Sequence, residues 1–73
     1  MLRVLLCRQA ATLFDGPASR VVLPSEEGDV SVFDFHAPML CALGNGDVHI
    51  DEKRVAVHGG IARVLKNKVT ILV

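Results

Sequence analysis

Apolar and polar residues alternate most regularly in the last third of the chain. Asp47-Val48-His49-Ile50, a polar Asp51-Glu52-Lys53 link and Arg54-Val55-Ala56-Val57 predict a hairpin of half-buried strands. Beyond Gly59-Gly60, the run Ile61 to Leu65, the link Lys66-Asn67-Lys68 and the β-branched run Val69-Thr70-Ile71-Leu72-Val73 predict a second hairpin. Asn45-Gly46 is a further turn signal. In the first half, Arg20-Val21-Val22-Leu23 reads as a strand stopped by Pro24, with Asp15-Gly16-Pro17 as a turn before it; Val30 and Val32 alternate as well. Leu2 to Leu13 fits either a helix, with apolar residues at 2, 5, 6, 10 and 13, or two short strands, and the strand reading is preferred. Many short strands separated by turns imply a β-sandwich or a barrel.

The composition, 51% apolar and 22% charged, is that of an ordinary globular domain, and residues 1–73 read as one all-β domain without linker or repeat. A 7.9 kDa fold is small enough to be marginally stable alone. It should expose about 4,400 Å², so one standard interface of about 800 Å² takes nearly a fifth of that surface. Eight basic and eight acidic residues cancel, which argues against a nucleic-acid or anionic-membrane binder. The distribution is uneven: all eight acids lie between Asp15 and Glu52, and the last third is basic.

Cys7 and Cys41 form no CxxC pair, and two small buried thiols in a reducing cytoplasm is the default reading. The opening MLRVLLC is too short for a signal peptide or a membrane span. Asp34, His36 and Cys41 supply the residue types of a nucleophilic triad, but such triads are assembled from separate elements, and a loop histidine is the better reading. His49 and His58 fall on the wet faces of their strands, so no metal site is expected. The glycines form no phosphate loop and read as turn residues. Phe33 and Phe35 sit among Glu26, Glu27, Asp29 and Asp34, which would repel nucleic-acid phosphates; core or interface anchors is the reading preferred.

The stretch VVLPSEEGDVSVFDFHAPMLCAL (Val21 to Leu43), followed by Val57-His58-Gly59-Gly60-Ile61 and Asn67-Lys68-Val69-Thr70-Ile71-Leu72, together with Thr12-Leu13-Phe14-Asp15-Gly16, resembles the N-terminal domain of the epsilon subunit of F-type ATP synthase. The resemblance spans nearly the whole chain. It implies a two-sheet antiparallel β-sandwich and a non-catalytic rotor subunit that couples the gamma subunit to the c-ring and needs no cofactor. It implies a peripheral position at the cytoplasmic face of the inner membrane, with the membrane reached only through the c-ring. A free-standing β-barrel that binds nucleic acid is the alternative class.

Carried residue by residue, the resemblance places Glu27, Gly28, Asp29 and His36 at the c-ring interface. It places Phe35, Met39, Leu40, Cys41, His58 and Gly59 at the gamma interface. Two departures stand out: the family's Leu-Pro-Gly before His-Ala-Pro is Phe33-Asp34-Phe35 here, and its Ser before Gly-Gly is His58. The family commonly continues into a C-terminal helical hairpin that inhibits hydrolysis; the sequence, which reaches Val73, carries no such segment, and neither inhibition nor nucleotide sensing is expected of these residues.

Overall fold

A computed structural model describes residues 1–73 as strands and short connections, with no helix. In chain order these are β1 (Leu2–Arg8), β2 (Ala11–Ala18), β3 (Val21–Ser25), β4 (Gly28–Val32), β5 (Met39–Ile50), β6 (Lys53–Leu65) and β7 (Lys68–Leu72). They hydrogen-bond in the order β2-β1-β7-β6-β5-β3-β4. A flat sheet of this kind would leave both faces wet. Instead, 15 residues drawn from all seven strands are buried in one cluster, among them Leu6, Val21, Val48, Val57 and Val69 at 0% exposure, so the sheet closes over itself as a sandwich. The accessible surface is 4491 Å², close to the expectation from mass.

The all-β sandwich and the strand reading of Leu2 to Leu13 hold. The ladder departs from a purely antiparallel one at a single pair: β1 and β7 run parallel, Arg3 beside Lys68 through Cys7 beside Leu72. Parallel neighbours need a long crossover, and strands β2 to β6 together form it.

Three turn signals prove to lie inside strands. Asp15-Gly16-Pro17 belongs to β2, an edge strand, where the missing proline N–H costs the ladder nothing. Asn45-Gly46 lies within β5 and Gly59-Gly60 within β6. These glycines bend the long β5–β6 hairpin rather than end it. The inward residues of β5 are Met39, Cys41 and Leu43 before the bend but Val48 and Ile50 after it, and those of β6 change from Val55 and Val57 to Ala62 and Val64. Register is the same on both sides, from Met39 opposite Val64 to Ile50 opposite Lys53. Both strands therefore advance one residue together, which lets the hairpin pass from one layer to the other with its apolar side still inward. Gly46, Gly59 and Gly60 all have positive φ there.

The two-residue connection between β6 and β7 is Lys66-Asn67, with φ of 50° and 60°, the geometry of a type I′ turn. The β5–β6 turn works differently. The Asp51 carboxylate accepts from the backbone N–H groups of Ser19 and Arg20 at 3.0 Å each, tying the β2–β3 connection to that turn.

Candidate functional site

The β3–β4 connection is the tight turn Ser25-Glu26-Glu27-Gly28. The Ser25 hydroxyl donates to the Gly28 carbonyl at 2.5 Å and accepts from the Glu27 N–H at 3.2 Å, and Gly28 takes φ 122°. This fixes the backbone and leaves Glu26, Glu27 and Asp29 exposed, none in an ion pair. Across from the turn runs the first part of β5. Met39 and Cys41 face inward, half-buried against the core, while Leu40 faces out and is 66% exposed. Between them lies an open groove of about 510 Å³, lined by the turn, by Gly28 to Val30 and by Met39 to Ala42. Burial raises the Cys41 thiol above its ordinary value by desolvation.

The residues between β4 and β5 form a pinned loop. Phe35 sits at φ 63°, a conformation a bulky residue adopts only at a cost of about 1–3 kcal/mol. Its N–H donates to the Asn67 side-chain carbonyl at 2.7 Å, and the N-terminal ammonium pairs with Asp34 at 3.0 Å. The Phe35 ring is 90% exposed and that of Phe33 53%. Neither ring belongs to the core, and both stand open as candidate interface anchors. The His36 ring is held by its own neighbour, Nδ1 lying 2.7 Å from the Ala37 carbonyl.

The structure brings Glu27, Gly28, Asp29, Met39, Leu40 and Cys41 around one groove and puts Phe35 and His36 side by side in the loop. His58 and Gly59 lie apart, at the bend of β6; His58 borders a shallow depression with Arg8, Gln9, Ala56 and Val73. Asp34, His36 and Cys41 make no hydrogen bond to one another, so no triad forms. Both cysteines are half-buried thiols rather than fully buried ones. No group of three or more His, Cys, Asp or Glu side chains is arranged to hold a metal. Sequence reasoning missed the bracing roles of Asn67 and Asp51, because each was visible only as a turn or motif position and its side-chain bond is made to a segment 31 or 32 positions away.

Over residues 1–73 the chain matches the family described as ATP synthase, Delta/Epsilon chain, beta-sandwich domain. It is 42% identical over 66 residues to the ATP synthase epsilon chain of Synechococcus sp. (strain JA-2-3B'a(2-13)), covering 85% of this chain and 48% of that protein. Identity and coverage are the same for the epsilon chain of Thermosynechococcus vestitus. The chain thus spans about half the length of these relatives. Among solved structures, a chain of the Euglena gracilis mitochondrial ATP synthase (OSCP/F1/c-ring) superposes with a TM-score of 0.83 at 23% identity, covering 97% of this chain and 49% of that one. A chain from the Tetrahymena thermophila mitochondrial ATP synthase central stalk and c-ring gives 0.77 at 19% identity, covering 97% and 61%. At those identities the likeness is one of fold.

Proposed function

Since this chain belongs to the delta/epsilon β-sandwich family of ATP synthase, we propose that it is the docking domain of a central-stalk subunit, non-catalytic itself, coupling the gamma subunit to the c-ring of a proton- or sodium-translocating F-type enzyme. In this reading it sits peripherally at the cytoplasmic face of the inner membrane, held there through the c-ring. Glu27, Gly28, Asp29 and His36 meet the c-ring loops; Phe35, Met39, Leu40, Cys41, His58 and Gly59 meet gamma. The observation that carries the proposal is the match of the whole chain to the family, on a fold that leaves the acidic turn and the Met39–Cys41 edge beside each other and open. The exposed acids steer and orient a basic loop, each pair worth roughly 0–1 kcal/mol, while the apolar positions supply the affinity. The test is co-purification with the gamma subunit from the same source. A stable complex is expected, and no binding at micromolar concentrations would refute the proposal.

A further inference from the structure

The groove is walled by strand edges whose bonding directions follow from the turns. The two-residue turn at Lys66-Asn67 makes Leu65 and Lys68 a hydrogen-bonded pair, so by alternation Arg63 and Ile61 also bond toward β7. Val64 and Ala62 then bond toward Met39 and Cys41, and Leu40 and Ala42 turn their N–H and C=O groups away from β6. One bond marks that direction: the Ala42 carbonyl accepts from the Glu26 N–H at 3.2 Å. β3 pairs with β5 no nearer than Leu43, so both backbone groups of Leu40 and the N–H of Ala42 point beyond the end of that pairing. On the opposite wall, Ser25 and Gly28 close the β3–β4 turn as the bonded pair, and Pro24, which has no N–H, lies opposite Asp29. The Asp29 backbone groups therefore also point outward.

We propose that this groove binds an extended segment of a partner protein by β-strand addition along Leu40 and Ala42, and that the segment is basic at the end beside Glu26, Glu27 and Asp29. The proposal rests on the docking role proposed above and narrows it: the occupant is a single segment of one partner, so the groove residues Glu27, Asp29, Met39, Leu40 and Cys41 meet one chain rather than two. Three observations support it. A strand in a packed sheet fills about 4.8 × 10 × 3.3 Å, or about 160 Å³, per residue, so the 510 Å³ groove takes about three residues, close to the length of free edge. The half-buried Val30, Met39 and Cys41 offer apolar contact to alternate residues of an added strand. The three carboxylates are exposed and unpaired, which selects lysine or arginine. The edge of β2, by contrast, carries Pro17 and, between Thr12 and Phe14, a register shift opposite Leu6/Cys7, features that discourage pairing.

The test uses the whole chain and a blocked hexapeptide of alternating lysine and valine, followed by amide hydrogen exchange in NMR. Saturating peptide is expected to slow exchange at Leu40 and Ala42 at least tenfold, while N-methylating the peptide's edge-facing amides abolishes binding. The paired substitution Glu27→Gln and Asp29→Asn should leave the melting temperature unchanged and weaken the peptide several-fold. An alternating glutamate-valine peptide should bind more weakly still. The proposal is overturned if the lysine-valine peptide does not bind at millimolar concentration, if it binds without slowing Leu40 and Ala42, or if the glutamate peptide binds equally well. It is overturned too if those amides slow with protein concentration alone, because the occupant is then a second copy.

Discussion

Gly60 offers the sharpest test of the bend. A β-carbon built there would lie 2.5 Å from the Leu72 carbonyl oxygen, 2.8 Å from Val73 Cγ1 and 3.1 Å from Val73 Cα, and the residue has φ 128°. Two of those neighbours are backbone, so relief requires β7 to move off β6. Gly28 provides the control: its φ is 122°, but nothing lies within 4 Å of an added β-carbon. Backbone strain of about 1–3 kcal/mol applies to both, and the steric overlap adds about 1–3 kcal/mol at Gly60 alone. A domain of this length has a total stability of about 4–11 kcal/mol, so Gly60→Ala removes much of it. With a urea m-value of about 1 kcal/mol/M, its unfolding midpoint should fall at least 1 M below that of Gly28→Ala. Equal midpoints would refute the argument that the bend is set by the approach of β7 to Gly60.

Asn67→Ala removes both a favoured type I′ residue and the acceptor for the Phe35 N–H; a loss of about 1–2 kcal/mol is expected, with faster exchange at the Phe35 amide as the specific readout. Asp51→Ala frees the Ser19 and Arg20 amides and should cost about 1–2 kcal/mol, less for Asp51→Asn, measured by urea melts. Burial raises the Cys41 thiol, so the unfolded chain loses this proton first. The stability from this group is complete below the ordinary thiol value of about 8.5 and falls as pH rises toward the folded value; Cys41→Ala should flatten that decline. For the same reason a thiol reagent should label Cys41 more slowly than a small free thiol at pH 8.

Side-chain alternation made the later hairpins legible, since Val57, Val64, Val69 and Ile71 are buried and Val55 half-buried, each where period two puts an inward residue. What it could not show was continuity. Asn45-Gly46 and Gly59-Gly60 have the composition of turns, and only the unchanged register of β5 against β6 reveals that both strands run through them. Asp15-Gly16-Pro17 misled for a related reason, because an edge strand tolerates residues that a central strand excludes. The site was partly legible. The acidic turn and the Met39–Cys41 segment were both singled out, but their meeting in one groove depends on the bend, a long-range effect that no local pattern encodes. The fixing of Phe35 by Asn67 was likewise hidden, as it joins a loop to a turn 32 residues on.

The parallel pairing of β1 with β7 has a consequence for biosynthesis. Leu2, Val4 and Leu6 leave the ribosome well before Lys68–Leu72, yet the strand that carries them gains its second neighbour only when that later strand has emerged. Until then β1 has at most its hairpin with β2, and an isolated two-stranded hairpin is marginal in water. β1 is thus made before the strands of the crossover but sealed after them, and for the time it takes to make the intervening sixty or so residues the nascent chain carries an apolar strand open to chaperones or to stray pairing.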